Sequence, residues 1–292
     1  YNIFKNKSKN NCSFSFYNFY QFGIKRLLTG FAIAGIFYFP ITISTHFTGL
    51  EKASIIGILL TILRLSQLVV NPFNIIFLPE FRFIINTFDK NDIRDCVVTL
   101  INVLFIFISF GISLYFISEE IIILWFGINY SEAIPYLIYF IPGIVSYQVY
   151  IFLRSPIDAL FKETKSNYIT ISGLAVFFLS FSIGLFFNFD TTLTIIYSLT
   201  IGLLVLGVYS IRLLLIEFNI QLIDKDIIKL AMTYSISSII FYLFNNHFKL
   251  IGDITGLFLI KLFLLFSFYL AIYYSIKSTK FDPYLLKRIF SN

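Results

Sequence analysis

The sequence predicts an all-α integral membrane protein with about eight transmembrane helices. Hydrophobic residues make up 58% of the 292 residues and charged residues only 13%, whereas about 25% of an ordinary soluble domain is charged. Apolar runs of about 20 residues, each able to cross roughly 30 Å of hydrocarbon, recur along the chain. The runs are continuous and do not alternate in polarity as the strands of a transmembrane barrel do, which favours helices.

The apolar runs define where the predicted spans lie. At 1.5 Å per residue each run approaches or exceeds the thickness of the hydrocarbon layer, and the seventh is the shortest. The spans run over 27–48, 53–78, 97–118, 133–153, 167–187, 191–213, 227–244 and 250–276.

The positive charges predict that both ends of this chain lie in the cytoplasm. Lys and Arg accumulate in the first segment, in the loops after spans two, four and six, and in the tail. The alternate loops offer only Lys52 and Lys249. Basic residues mark the cytoplasmic ends of transmembrane helices. Topology and anionic lipid therefore explain the net charge of +6, and nucleic acid is not expected as a partner.

Motifs of the common enzymes are missing from the sequence. It contains no Walker loop and no GxSxG, HExxH or GxGxxG pattern. His46 and His247 have no nearby cysteine or carboxylate that would complete a metal site, and Cys12 and Cys96 stand alone. The sequence therefore predicts a protein that is not an enzyme, with no cofactor and no metal.

Span two has an arginine, Arg64, near its centre. Insertion of a guanidinium there costs about 2.5–3.5 kcal/mol, so this face should meet neighbouring helices or a wet cavity. Arg64 either faces a cavity that takes an anion or pairs with backbone carbonyls between helices. When span two is projected on a helical wheel at 100° per residue, the face that contains Arg64 is polar. The opposite face is apolar apart from Ser66. The polar face comprises Ser54, Gly57, Thr61, Arg64, Gln67, Asn71 and Asn74.

Span four has a second stripe, which is rich in tyrosine. Tyrosine rings that line a cavity would suit sugar, because they offer an apolar face and a hydroxyl group. The alternative is aromatic packing within the protein and at the membrane interface. The sequence leaves both interpretations open. The stripe comprises Tyr136, Phe140, Gly143, Tyr147, Tyr150 and Arg154.

Prolines inside the predicted spans indicate where the helices bend. Pro40 lies in span one, and Pro142 lies in span four beside Gly143. Proline removes a helical hydrogen bond and often kinks the helix, and interrupted helices mark sites or hinges in many transporters. Pro40, Pro142 and Gly143 are therefore candidate hinge residues, with packing kinks as the alternative.

Three segments share their order and spacing with a known family. They are IIGILLTILRLSQLVVNPFNIIFLPEF in span two, IIILWFGINYSEAIPYL before span four and RSPIDALFKETKSN after it. The first is similar to a family helix that ends in a proline, the second to a stretch with a central glycine, and the third to a cytoplasmic turn. Together they resemble the C-terminal part of an O-antigen or capsular polysaccharide flippase, in the multidrug/oligosaccharidyl-lipid/polysaccharide superfamily. The likeness covers roughly residues 20–215.

The resemblance implies a division of the chain into three parts. Residues 1–26 would be a cytoplasmic lead-in, 27–215 the six-helix C-terminal lobe, and 216–292 two additional helices with a cytoplasmic tail. The chain opens with Tyr1, and an N-terminal lobe of the same protein is expected as its partner. The expected location is the bacterial cytoplasmic (inner) membrane, crossed many times.

The resemblance also implies a function. The substrate would be a polyprenyl-pyrophosphate-linked oligosaccharide, carried from the cytoplasmic to the outer face by alternating access between two lobes. Arg64 would be the counter-charge for the pyrophosphate, and Tyr147 and Tyr150 would contact sugar. Gln67, Asn71 and Arg154 would be further substrate-binding residues. Pro40, Pro142 and Gly143 would be hinges. Membrane lipid and other polysaccharide-assembly proteins would be its further partners.

Departures from the family pattern leave the coupling ion unidentified. Thr45 and His46 stand where an acidic residue is often found, and DTTLTIIYS replaces a Gly-Ala-rich helix entry. Other functions remain as alternatives: a drug or ion exporter of the same superfamily, a membrane polymerase or glycosyltransferase of the same pathway, and a scaffold that does not transport.

Overall fold

The protein forms seven α-helices over the residues that the structure, a computed structural model, describes: 16–87, 90–161 and 165–219. These ranges contain no strand. A short 3-10 turn, Ile128–Tyr130, lies between the fourth and fifth helices. The helices are α1 (Phe16–Phe47), α2 (Leu50–Thr87), α3 (Lys90–Phe116), α4 (Ser118–Phe126), α5 (Ala133–Leu160), α6 (Lys165–Phe186) and α7 (Thr191–Phe218).

Five of these helices are long and apolar enough to cross a membrane: α1, α2, α5, α6 and α7. They coincide with predicted spans one, two, four, five and six, which confirms that these spans are helical. The third predicted span, 97–118, lies in α3 up to Phe116, and α3 does not belong to the five. The seventh and eighth predicted spans lie outside the described residues. The total of eight spans therefore stays a prediction.

Helix α2 is longer than the sequence predicts. It contains 38 residues, about 57 Å at 1.5 Å per residue, and it continues beyond the predicted end at residue 78. Pro72 and Pro79 both lie inside it. Each proline removes one backbone hydrogen bond and leaves the neighbouring bonds of the ladder in place, so the helix passes through both.

Helix α5 is the centre of the bundle. It packs along α2 on one side and along α7 on the other, while α6 packs on α7 and α1 rests on α6 and α2. The side chains of Leu137, Phe140, Ile144 and Leu153 are completely buried. A helix that is apolar nearly all round is expected in such a central position.

Glycines allow α7 to approach both of its neighbours. A Cβ atom on Gly207 would lie 2.6 Å from the carbonyl oxygen of Ser146 in α5, and one on Gly202 would lie 2.8 Å from the carbonyl oxygen of Gly173 in α6. Small residues let helix backbones come close where no water is present to drive association. The α5–α7 and α6–α7 contacts therefore depend on residues without side chains.

One end of the bundle is joined by an ion pair. Lys52, near the start of α2, places its Nζ 2.9 Å from Glu132 Oε2, immediately before α5. Gly49, with φ of +87°, forms the turn that enters α2, a conformation that glycine adopts without strain. The α1–α2 turn and the segment before α5 thus lie at the same end, which the sequence analysis predicts to be the outer one.

Candidate functional site

The two faces of α2 have opposite surroundings. Its apolar face is buried against the bundle, with Ile56, Leu59 and Leu63 between 0 and 1% exposed. The polar face predicted from the sequence lies on the open side: Ser54, Thr61 and Arg64 are exposed, and Gly57, Gln67, Asn71 and Asn74 are partly exposed. The exposed apolar residues Leu68 and Ile75 lie further along the helix, so the open face is most polar from Ser54 to Gln67.

Aromatic rings of α1 flank the Arg64 guanidinium. Its central carbon lies 4.9 Å from the centroid of the Phe37 ring and 5.5 Å from that of Tyr38. A guanidinium within about 6 Å of a ring centroid is attracted to the ring. Within the described part of the chain Arg64 forms no salt bridge. The rings therefore position the cation without neutralising its charge.

A cavity of about 370 Å³ extends from Arg64 towards the end of the bundle that carries the Lys52–Glu132 pair. Polar groups of Ser54, Thr61 and Tyr130 line it together with apolar side chains. Ser54 and Arg64 are ten residues apart, which is about 15 Å along the helix. Arg64 is the one charged residue among the described lining residues, so the cavity suits a ligand with negative charge at its inner end.

A chain of contacts links Arg64 to the tyrosine stripe of α5. Phe37 meets Tyr147 edge-on, with ring centroids 5.8 Å apart, and the Tyr147 ring lies 6.1 Å from that of Tyr150. The Tyr147 hydroxyl donates a long hydrogen bond, 3.5 Å, to Gln67 Oε1. Four residues predicted from the sequence, Arg64, Gln67, Tyr147 and Tyr150, thus belong to one connected group.

The two tyrosines are buried inside this group. Tyr147 is 1% and Tyr150 0% exposed, and the Tyr150 hydroxyl forms a 2.6 Å hydrogen bond with the hydroxyl of Thr170 in α6. In this arrangement they pack α5 against α1 and α6, which is the alternative that the sequence left open. Their contact with sugar remains a prediction.

A polar seam joins α2 to α5 behind the open face. The Gln148 side-chain amide, 1% exposed, is hydrogen-bonded to the Ser66 hydroxyl. Further along, the Ser155 hydroxyl donates to Asn74, with its Oγ 2.9 Å from Oδ1 and 3.1 Å from the backbone carbonyl oxygen. Buried polar groups favour a single register, because any other would leave them unpaired. The seam therefore fixes which face of α2 is open.

Arg154 lies away from the cavity at the far end of α5. Its Nε is 4.0 Å from Asp158 Oδ2, one helical turn later, and Asp158 also accepts a hydrogen bond from the Ser166 hydroxyl at the start of α6. Asn71 is partly exposed on the same helix as Arg64. The structure thus groups Arg64 with Gln67, whereas Arg154 belongs to the connection between α5 and α6.

The candidate hinge residues lie within continuous helices. Pro40 is buried in α1, and Pro142 is exposed on α5. Gly143 is buried, and a Cβ there would lie 3.2 Å from the Cα of Thr200 in α7. This contact gives Gly143 a packing function in the α5–α7 interface. Flexing at the three positions stays a prediction.

Sequence reasoning missed the residues that hold Arg64 and orient α2. Phe37 and Tyr38 touch the guanidinium, but among 38 phenylalanines and 19 tyrosines nothing in the sequence singles them out. Gln148 was also missed. The lone Ser66 on the apolar face did not require a partner on a neighbouring helix, because its hydroxyl also donates to the Leu63 carbonyl of its own helix.

Comparison of the sequence with models of protein families, with curated proteins and with solved structures gives no match. In its described residues the chain is a helical bundle with five helices of length and composition suited to crossing a membrane.

Proposed function

We propose that this chain is one lobe of a bacterial flippase that moves a polyprenyl-pyrophosphate-linked oligosaccharide from the cytoplasmic to the outer face of the inner membrane. The observation that carries the proposal is the exposure of Arg64, without an ion-pair partner among the described residues, on the polar and open face of a helix long enough to span the bilayer. The resemblance in the sequence supplies the substrate class.

The outward-facing polar side of α2 supports a water-filled path. Its apolar side packs inward and its polar side is left uncovered by the described helices. The hydroxyls of Ser54 and Thr61 donate to carbonyl oxygens of their own helix, but hydrocarbon against Arg64 would leave its charge unsolvated, which is costly in a bilayer. Water or the surface of a second lobe must therefore cover this face when the chain is in the membrane.

The charge of Arg64 supports an anionic cargo. A guanidinium binds phosphate oxygens through two parallel hydrogen bonds and keeps its charge at all physiological pH values. The flanking rings of Phe37 and Tyr38 would leave the edge of the guanidinium available for such a contact. In this proposal Arg64 is the counter-charge for pyrophosphate, and the hydroxyl and amide groups of Thr61, Gln67 and Asn71 meet the adjoining polar part of the cargo.

Alternating access follows if two lobes rock about this cavity. The cavity extends from Arg64 towards the predicted outer end, and in this proposal the anion leaves along it. In this proposal α2 and α5, which are joined by the polar seam, move together as one body. The second lobe supplies the opposite wall of the cavity. A transporter of this kind needs no covalent chemistry.

The test measures which membrane face holds the lipid-linked oligosaccharide. A strain deleted for the full-length gene would be complemented with wild type, with Arg64→Ala, or with Arg82→Ala, in which an exposed arginine further along the same helix is lost. An impermeant sugar-labelling reagent reports sidedness. We expect wild type and Arg82→Ala to restore outer labelling and Arg64→Ala to leave the oligosaccharide on the cytoplasmic face.

Two results would overturn the proposal. Equal sidedness in the deletion strain and wild type would exclude flipping of this cargo. Normal surface polysaccharide together with sensitivity to cationic dyes in the deletion strain would favour the drug exporter. Full activity of a well-expressed Arg64→Ala protein would remove only the role given to Arg64.

A further inference from the structure

A second concave surface lies on the opposite part of the bundle, along α7. It is a groove of about 750 Å³ that includes Lys165 at the start of α6 and side chains of α7 from Ile201 to Ile216. None of its described lining residues belongs to the Arg64 cavity. The volume is within the range of sites that hold small molecules.

The groove is polarised along its length. Ile201, Val205 and Val208 make the wall along the middle of α7, whereas Lys165, Arg212 and Glu217 lie at one end. Ile201 and Ile216 are 15 residues apart, which is about 23 Å along the helix. The charged end adjoins the loops after spans four and six, which the basic residues predict to be cytoplasmic.

The charged end has two cations, Lys165 and Arg212, and one carboxylate, Glu217, among the described lining residues, so positive charge is in excess. Neither Lys165 nor Arg212 forms a salt bridge within the described residues, although Glu217 also lines the groove. Lys165 places its Nζ 3.8 Å from the centroid of the Phe161 ring, which positions the ammonium group at the start of α6. The N-terminus of α6 adds partial positive charge at the same point.

We propose that this groove binds an anionic phospholipid of the bilayer. The phosphate lies between Lys165 and Arg212, and an acyl chain follows the apolar wall past Val208 and Val205 towards Ile201. Basic pockets between helices on the cytoplasmic side are the sites at which anionic lipid headgroups bind. The apolar continuation distinguishes a lipid from a free anion, because only a lipid fills both parts.

The test uses the purified full chain in detergent and measures lipid binding by native mass spectrometry and by the shift in melting temperature. The probes are phosphatidylglycerol, phosphatidylcholine of the same chains, a polyprenyl phosphate and inorganic phosphate. We expect phosphatidylglycerol to bind and stabilise most strongly. In the double variant Lys165→Gln/Arg212→Gln its binding should weaken by roughly tenfold or more, since each cation contributes to attraction of the anionic headgroup.

Matched variants separate charge from shape. Arg82→Gln/Arg94→Gln removes two exposed arginines outside the groove and should bind lipid as wild type does. Val205→Trp fills the groove and should weaken binding with both cations present. Leu179→Trp, at a position that is 63% exposed and outside the groove, should not weaken it.

Several results would overturn the assignment. They are equal binding of phosphatidylglycerol in wild type and the Lys165→Gln/Arg212→Gln protein, an equal effect of phosphatidylcholine, and full stabilisation by inorganic phosphate alone. Stronger binding of the polyprenyl phosphate would assign the groove to a carrier lipid instead. A photoreactive residue at Val208 that crosslinks to residues beyond 219 in place of lipid would show that the chain itself fills the groove.

Discussion

The guanidinium carbon of Arg64 lies 4.9 Å from the centre of the Phe37 ring, and that ring forms a T-shaped contact with the ring of Tyr147. Aromatic rings attract a cation while leaving its hydrogen-bond donors unused. A carboxylate partner would have consumed both charge and donors. The relationship explains how a helix bundle can hold an arginine at its open face and keep it available for an anion.

The first prediction concerns the second ring. Tyr38 is 61% exposed and its ring centroid lies 5.5 Å from Arg64, so Tyr38→Leu removes a cation–π contact with little loss of packing. We expect a several-fold fall in transport, since such a contact contributes about 0.5–1 kcal/mol at exposed sites. The outer-face labelling rate of lipid-linked oligosaccharide measures it.

The control for this variant is Phe31→Leu, because Phe31 is an equally exposed aromatic residue (68%) on the same helix and is not in contact with Arg64. Its transport rate should stay at the wild-type value. If both variants lose the same activity, the effect belongs to the surface of α1 in general, and positioning of Arg64 by Tyr38 is wrong.

The second prediction concerns the α2–α5 seam. A double-mutant cycle on Ser66→Ala and Gln148→Leu should give a coupling free energy of roughly 0.6 kcal/mol and at most about 1.7 kcal/mol, the range of hydrogen bonds between membrane helices. The bond is buried on both sides. Ser66→Ala removes a hydrogen-bond partner of the buried Gln148 amide, whereas in Gln148→Leu the Ser66 hydroxyl keeps its bond to the Leu63 carbonyl oxygen. Unfolding in mixed detergent micelles measures the free energies.

A matched cycle provides the comparison. Thr87 and Ser180 lie on different helices. Thr87 donates to one carbonyl and Ser180 to two carbonyls, all within their own helices, so Thr87→Ala and Ser180→Ala should be additive. A coupling near zero for Ser66 and Gln148 would mean that the seam does not fix the register of α2.

The open face of α2 could be predicted from the sequence because polarity and helical periodicity agree there. Seven polar or small residues fall on one side of span two, and the structure places them at least partly exposed. Helical periodicity separates a polar face from an apolar face in a membrane helix as it does in a soluble one. In α2 the apolar face packs against the other helices. The helical spans could also be predicted, because the length of each apolar run sets where a span lies.

The functions of Tyr147 and Tyr150 could not be predicted in this way. Periodicity shows that they share a face of α5. Tyrosine occurs both in a packed core and on a cavity wall, so periodicity does not tell the two apart. Only the packing of α1 and α6 over that face decides the outcome. Such contacts join residues distant in the sequence, which a pattern along one helix does not contain.

The third prediction tests the close approach of α7 to α5. Gly207→Ala would place a Cβ atom 2.6 Å from the backbone oxygen of Ser146, so one helix must move. Overpacking of this kind costs about 1–3 kcal/mol, which a fall in melting temperature would report. Gly30→Ala in α1 meets no atom within 4 Å and should be neutral or slightly stabilising through helix propensity. Equal stability of the two variants would contradict the α5–α7 packing described here.

The fourth prediction concerns the reactivity of Cys96, which lies before the third predicted span. Burial raises the pKa of the Cys96 thiol to about 11, with smaller contributions from the charges of Asp95 and Asp92. The thiolate is the reactive form, so at neutral pH a shift from 9.0 to about 11 leaves about a hundredfold less of it. In a Cys12→Ser background, alkylation of the folded protein by iodoacetamide should therefore be slow and should accelerate until the pH reaches about 11.

The pKa shift also fixes the sign of the pH effect on stability. Between pH 9.0 and about 11 the folded state keeps the thiol proton that the unfolded chain has lost, so the free energy of unfolding contributed by this group is complete below pH 9.0 and falls as the pH rises. Ser131→Cys, at an exposed position in a background without Cys12 and Cys96, is the control and should react at the rate of an ordinary thiol. Rapid alkylation of Cys96 at neutral pH, matching that control, would mean that α3 does not bury the thiol against the bundle.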